Sequence, residues 1–403
     1  MKVNLRILVV LSLMLLAQTI GRAQEPERII RTGHPKDFIE VAFSPGSKTL
    51  VGAGKNWTKL WDASTGKELH SLDRGGHILF SRDGKILAIS SQGKTTLHDV
   101  RTGKVLHLLN GYAGAFSPDD KILATMAEKE ITLWEVKTGR QRLLIKGTRW
   151  KSGSVRFAFG GRTVGAIDWE PNNAGMKFFD VRSGEQLRTL PAGNIYALSP
   201  DGKIWASETD ISKIKLWEIA TGKELRTLTG YFFYVDRMAF SPDGKILASG
   251  ITENLPGNQG VGIALWNVET GKRLRTLTAF LLGAGGPIAF SPDGKILAGQ
   301  IISTIQVCEV DTGKELLKLQ YPSFDHISDS PIAFSPDGRF LATAEGDGLI
   351  KLWNIATLRG LRPPKTSSAA CDRFFRDRFL EVRGRIQSSA DTCKARYALS
   401  QIA

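Results

Sequence analysis

The chain has 403 residues, of which 54 are Lys or Arg and 40 are Asp or Glu, giving a formal net charge of +14. The excess charge lies at the two ends: residues 1–23 carry +3 and residues 359–403 carry +6, so residues 24–358 carry only +5. This balance argues against a nucleic-acid-binding surface, and we interpret the many turn lysines as solvated. The six histidines show no metal-ligand spacing, so neither a metal nor a cofactor is expected.

Residues 1–23 are predicted to be a signal peptide. Lys2 and Arg6 precede an apolar run over residues 7–16, and Gly21 and Ala23 supply the small residues of a cleavage site. The apolar run is too short to span a bilayer, and no later segment reaches that length. We therefore expect an exported chain, periplasmic or extracellular, that has no transmembrane span after cleavage.

Residues 24–358 consist of one repeated unit. Near-copies of IAFSPDGKILA recur eight times at spacings of 36–50 residues, and their marker positions are Phe43, Phe80, Phe116, Phe159, Leu198, Phe240, Phe290 and Phe334. Each unit reads as four short strands joined by SPDG and TGK turns, with variable loops between the turns. The sequence predicts an all-β fold, an eight-bladed β-propeller of four-stranded antiparallel blades, with seven blades as the alternative.

A second phrase in each unit resembles the Trp-Asp phrase of WD40 repeats, and the resemblance covers residues 27–358. It is clearest at Leu60–Trp61–Asp62, Leu133–Trp134–Glu135, Leu216–Trp217–Glu218, Leu265–Trp266–Asn267 and Leu352–Trp353–Asn354. His98, Phe179 and Cys308 occupy the Trp position in the other units. The family's His–Ser–Asp–Trp hydrogen-bond network is mostly missing, so we expect apolar packing to hold the blades. The resemblance implies a non-catalytic interaction scaffold.

The last unit lacks its fourth strand, because Pro363 and Pro364 follow where that strand is expected. Residues 27–32 have the pattern of a fourth strand but precede the first unit. We predict that they supply the outer strand of the eighth blade and so close the ring.

Residues 359–403 form a basic tail that shares no pattern with the repeats. A Cys371–Cys393 disulfide is predicted because the chain is expected to reach an oxidising compartment, whereas Cys308 is expected to be a buried hydrophobe. Between the two tail cysteines, apolar residues at helical spacing predict an amphipathic helix that docks on its own domain or on anionic lipid.

Function is predicted to lie in the variable loops of units four to eight, which are rich in aromatic residues. We expect one asymmetric face there, binding a protein or peptide, with an extended carbohydrate as the second choice and the chain itself a monomer. Its proposed residues are Trp150, Trp169, Tyr231, Phe232, Phe233, Tyr234, Arg237, Phe280, Tyr321, Phe324 and His326. The alternative is that about half of these aromatic side chains fill gaps between blades.

The alternative function is a propeller that binds a ligand in its central channel or acts as a quinone-cofactor-type enzyme. The DASTGK segment at residues 62–67 looks similar to a motif of such dehydrogenases. However, His70 and Arg226 stand where that class has Trp, and its adjacent cysteine pair is missing. We therefore expect no enzymatic activity.

Overall fold

The computed structural model describes residues 25–34, 38–147, 150, 154–168, 175–191, 196–210, 213–229, 234–255, 258–279, 284–301, 304–320, 332–345 and 348–360. The tail, the signal segment and the Cys371–Cys393 pair lie outside these residues. Within them, no helix is both long and apolar enough to cross a bilayer.

The strands form eight antiparallel four-stranded sheets, so the prediction of eight blades is confirmed and the seven-bladed alternative is wrong. Each of the first seven blades is a run of four consecutive strands. Blades 1 to 4 contain β2 to β17: Phe38–Phe43, Thr49–Gly54, Thr58–Asp62, Glu68–Leu72; His77–Phe80, Ile86–Ser91, Lys94–Asp99, Val105–Asn110; Tyr112–Phe116, Ile122–Met126, Glu130–Glu135, Gln141–Lys146; Arg156–Ala158, Thr163–Asp168, Gly175–Asp180 and Gln186–Leu190.

Blades 5 to 7 continue the pattern with β18 to β29. Their strands are Tyr196–Leu198, Ile204–Asp210, Lys213–Glu218, Glu224–Leu228; Tyr234–Phe240, Ile246–Leu255, Asn258–Asn267, Arg273–Ala279; Ala284–Phe290, Ile296–Ile301, Thr304–Glu309 and Glu315–Gln320. Blade 8 combines β30 (Ile332–Phe334), β31 (Phe340–Glu345) and β32 (Leu349–Asn354) with β1 (Arg28–Arg31).

Strand β1 closes the ring as the sequence predicts. It pairs antiparallel with β32, Arg28 opposite Leu352 and Ile30 opposite Ile350. Beyond the strand, the Thr32 hydroxyl donates to the carbonyl oxygen of Gly348 over 2.9 Å. Ile30 is 5% exposed and belongs to a core cluster shared by blades 8 and 1. The closure therefore both pairs a sheet edge and completes an inter-blade core.

The SPDG turns owe their shape to side-chain hydrogen bonds. In blade 6 the Ser241 hydroxyl donates to Asp243 Oδ1 over 2.6 Å and accepts the backbone N–H of Ile246 over 2.9 Å. Gly244 has φ +72°, a left-handed conformation in which a side chain is unfavourable. The same Ser–Asp bond recurs in five other blades, at Ser81, Ser117, Ser199, Ser291 and Ser335. These turns lie at one end of the blades, which we call the turn rim. Because the same hydrogen bonds recur, the turn rim is regular.

Apolar packing is not the only force that holds the blades together. Four indole N–H groups donate to a hydroxyl on the neighbouring second strand, at distances of 2.7–3.2 Å: Trp134 to Thr125, Trp217 to Ser207, Trp266 to Ser249 and Trp353 to Thr343. In the three blades without Trp at this position, the hydroxyl position holds Ile89, Ala166 or Gly299. The Trp and a hydroxyl partner thus occur together in four blades, whereas blade 1 has Trp61 with Gly52 at the hydroxyl position. Part of the family's network persists.

The chain after the last strand forms helix α1, Ile355–Gly360. Leu358 of this helix shares a core cluster with Leu316 on the outer strand of blade 7. Leu316 is 3% exposed, whereas the corresponding Leu69 and Leu274 of blades 1 and 6 are 43% and 50% exposed. Helix α1 therefore covers one outer strand that other blades leave open.

The closure can be tested on two adjacent isoleucines of β1. Ile30→Ala removes a buried side chain from the core between blades 8 and 1, so the free energy of unfolding should fall by about 2–4 kcal/mol. Ile29→Ala changes a side chain that is 49% exposed, and it should cost less than about 1 kcal/mol. Urea unfolding of both variants provides the measurement, and equal losses would contradict the closure.

Candidate functional site

The rim opposite the turns carries the variable loops, and we call it the loop rim. Its most prominent feature is the hairpin of β23 and β24 in blade 6, which pairs continuously to Leu255 opposite Asn258. Both strands of this hairpin are ten residues long. We count residue pairs outward from the residue that faces the Trp position. Among the described residues, this hairpin continues at least three pairs further than the corresponding hairpins of the other blades, or ~10 Å.

Arg237 lies on β22, the inner strand of the same blade, and is exposed. The pairing of β22 with β23 shifts register between Val235 and Met238, so Arg237 sits in an irregular part of the strand. The backbone of Tyr234 pairs with Thr252 at the start of β22. A cation and the base of the projecting hairpin are therefore brought to the same part of the ring.

Most other residues predicted for the loop rim lie outside the described residues. They are Trp169, Tyr231, Phe232, Phe233, Phe280, Tyr321, Phe324 and His326. Their role in binding stays a prediction.

Trp150 has the packing role that the alternative assigned to part of the aromatic set. Its side chain is 6% exposed, lies in the core between blades 3 and 4, and meets Phe179 edge to face with 5.8 Å between ring centres. Its backbone N–H donates to Glu128 O over 2.8 Å, which ties the loop to blade 3. A partner bound at the loop rim does not meet this ring unless the loop rearranges.

A buried ion pair lies in blade 4, and the sequence analysis did not anticipate it. Lys177 Nζ is 2.8 Å from Asp168 Oδ2, and the two side chains are 10% and 1% exposed. Lys59 and Lys215 hold the same strand position in blades 1 and 5, where they pair with more exposed glutamates. Because both charges are buried, the loss of either partner should destabilise the fold more than the loss of an exposed ion pair does.

The inner strands bring charged residues to one level of the ring, three positions before each marker residue. Blades 1 and 2 place Glu40 and His77 there, and blades 4 and 6 place Arg156 and Arg237. His77 Nδ1 is 3.8 Å from Glu40 Oε2, and the neighbouring Glu40 carboxylate raises the pKa of His77 despite opposing desolvation. At this level, the described charged residues are thus a glutamate and a histidine on blades 1 and 2, and two arginines on blades 4 and 6.

Cys308 is buried, as predicted, and burial raises the pKa of its thiol to about 12. At neutral pH it is a protonated, unreactive thiol. Among the described residues, no three His, Cys, Asp or Glu side chains are grouped to hold a metal ion.

The family model for the WD40 repeat, described as "WD domain, G-beta repeat", matches residues 222–254 and 329–354. The matched segments include strands of blades 5, 6 and 8, and all eight blades repeat the same four-stranded sheet. The chain is a WD40-type β-propeller.

This WD40-type propeller is similar to the crystal structure of a computationally designed protein, Ika8. The TM-score is 0.63 and the sequence identity 22%, over 83% of this chain and 98% of the designed one. At that identity the likeness shows the fold alone. No curated protein sequence matches the chain.

The buried pair of the WD40-type propeller has a matched exposed control. Lys177→Met removes the ammonium group that lies 2.8 Å from the buried Asp168 carboxylate, so the free energy of unfolding should fall by about 3 kcal/mol. Lys215→Met removes the lysine at the same strand position in blade 5, where the pair with Glu224 is partly exposed, and should cost under about 1 kcal/mol. Denaturant titration compares the two. A Lys177 loss no larger than the Lys215 loss would show that burial of the pair has little energetic weight.

The Glu40–His77 contact predicts a pH dependence with a definite sign. The pKa of His77 is raised in the folded state. The stabilisation that the contact provides is therefore fully present below the pKa of His77 in the unfolded chain, and it is lost as the pH rises through the pKa in the folded chain. Glu40→Gln should lower the midpoint of the His77 titration followed by NMR, whereas the distant Asp62→Asn should leave it unchanged. An unaltered midpoint in Glu40→Gln would exclude Glu40 as the cause.

Proposed function

We propose that this WD40-type propeller is an exported, non-catalytic scaffold that binds a protein or peptide on the loop rim of blades 4 to 8. WD40 propellers commonly serve as protein-interaction scaffolds, and the fold supports that general role. The signal-like composition of residues 1–23 supports export.

The observation that carries the binding face is the blade 6 hairpin. A two-stranded projection of ~10 Å makes the loop rim asymmetric, and it stands on the blade whose inner strand bears the exposed Arg237. Paired strands hold a protrusion rigidly, so little conformational entropy is lost when a partner binds. The turn rim, by contrast, repeats one hydrogen-bonded turn around the ring. Recognition of one partner is favoured where the surface varies.

The aromatic residues predicted for this rim supply the apolar part of such a face. In the sequence, Tyr231, Phe232 and Phe233 directly precede β22, and Tyr234 is its first residue. Tyr and Phe bury large areas with few rotatable bonds, as interface hot spots require. An exposed arginine beside aromatic residues suits a peptide that carries both apolar and acidic side chains.

The test shortens the hairpin without disturbing the blade beneath it. Because Thr252 pairs with Val261, residues 253–260 can be replaced by Asn-Gly, which leaves the remaining register intact. Chemical cross-linking and purification from the exported fraction of the native host would identify bound proteins. We expect partners of the natural chain to be lost both in this variant and in one with residues 231–234 replaced by Gly and Ser.

The control changes the opposite rim by a comparable extent. Lys67→Ser, Lys223→Ser and Lys314→Ser together alter three TGK turns, and partner recovery should be unchanged. If the loop-rim and turn-rim variants recover identical partners, the binding face is not on the loop rim. If the loop-rim variants instead lose binding to a polysaccharide, the ligand is carbohydrate.

A further inference from the structure

A cavity of about 550 Å³ opens among the inner strands of blades 3 to 6, on the turn rim. Its wall includes the ends of β10, β14, β18 and β22 together with the SPDG turn of blade 5. Its volume lies within the range of roughly 300–1,000 Å³ typical of small-ligand sites. None of its wall residues is among those proposed for the loop-rim face.

Two turns near this cavity carry residues that differ from the repeat, and these two turns are hydrogen-bonded to each other. Arg82 stands where six other blades have Pro, and Asp120 stands where most turns have Gly. Asp120 holds φ +57°, and its carboxylate accepts the backbone N–H groups of Arg82 and Asp83 over 2.7 and 2.8 Å. The blade 3 turn thus fixes the backbone that presents Arg82 to the cavity. Blade 4 replaces its turn by a short 3₁₀ segment, Phe159–Gly161, which also forms part of the wall.

The charge of the cavity is positive. Arg82 and Arg156 are its cationic wall residues, and Asp201 is the acidic one. The Asp201 carboxylate is already engaged within its own turn: Oδ1 accepts the Ser199 hydroxyl over 2.6 Å and the Lys203 N–H over 3.0 Å, and Oδ2 lies 3.7 Å from Lys203 Nζ. Arg82 and Arg156 therefore line a cavity whose acidic residue is neutralised nearby.

Aromatic residues contribute to the remaining wall beside small residues and turn backbone. Phe157, Phe159 and Phe240 contribute rings, and Tyr196 stacks on Trp205 with 5.0 Å between ring centres. Burial raises the pKa of Tyr196 despite the nearby charge of Arg156, so its hydroxyl remains protonated at neutral pH and can donate a hydrogen bond. An apolar body would lie against the rings while its charged end meets the guanidinium groups.

We propose that this cavity binds an organic anion, a carboxylate attached to an aromatic or branched apolar body. The planar guanidinium fork of arginine matches a carboxylate in a bidentate manner, and such charge-assisted bonds are the stronger ones. The carboxylate belongs either to a free small molecule or to the end of a peptide, and both present the same chemistry to Arg82 and Arg156.

Isothermal titration calorimetry on the full chain tests the site with matched ligands. The small-molecule probe is 3-phenylpropanoate, compared with its neutral amide and with inorganic phosphate. The peptide probe is acetyl-Gly-Gly-Phe with a free carboxylate, compared with the same peptide amidated. We expect a carboxylate to bind on the order of tenfold or more tighter than its amide. The better carboxylate identifies the source of the natural ligand.

Three variants locate the binding. Arg156→Gln and Arg82→Gln should each weaken carboxylate binding on the order of tenfold. Arg101→Gln removes an equal charge from an exposed turn on the same rim and should leave binding unchanged. Arg82 lies in an exposed turn, so that variant keeps the test valid even if Arg156→Gln unfolds the chain. The proposal is overturned if no carboxylate binds at millimolar concentration, if phosphate or the amides bind as tightly, or if the Arg82 and Arg101 variants behave alike.

Discussion

The structure depends on the backbone pairing between Arg28–Arg31 and Leu349–Asn354. A blade of four strands has two edges, and in a closed ring its faces pack against two neighbours. Blade 8 obtains its outer strand from the start of the chain, which removes an exposed edge and completes the core that blades 8 and 1 share through Ile30 and Ile350. Other neighbouring blades likewise pack against each other through apolar cores.

On this scaffold the two rims have different tasks. The turn rim repeats a hydrogen bond between a serine hydroxyl and an aspartate carboxylate. Two residues that differ from the repeat, Arg82 and Asp120, lie in adjacent turns beside one cavity. The loop rim varies from blade to blade and projects furthest at blade 6. Both proposed sites therefore lie where the chain abandons its own repeat, because the repeated residues are already committed to turns and cores.

The strands, the turns, the number of blades and the origin of the last strand follow from the sequence, because they rest on short-range patterns that recur eight times. The blade 6 hairpin does not follow, since a polar segment with Pro256 and Gly257 resembles a loop. The paired backbone there needs no apolar alternation. The pairing of Lys177 with Asp168 also does not follow from the sequence, because it depends on strand register. The burial of Trp150 depends on how one loop folds across two blades. The aromatic residues at 231–233 lie outside the described structure and rest on composition alone.

The closure also means that the ring is complete only when both the first and the last strands of the propeller are present. Strand β1 is synthesised first, yet its partner β32 lies more than three hundred residues later, so the earliest-made strand waits for the last blade. A chain interrupted anywhere before residue 354 keeps an unpaired strand at one end and an uncovered blade at the other, and both invite proteolysis or aggregation. A chain that contains both strands pairs the edge of β32 and completes the core between blades 8 and 1, so we expect unfinished copies to be cleaved sooner than complete ones.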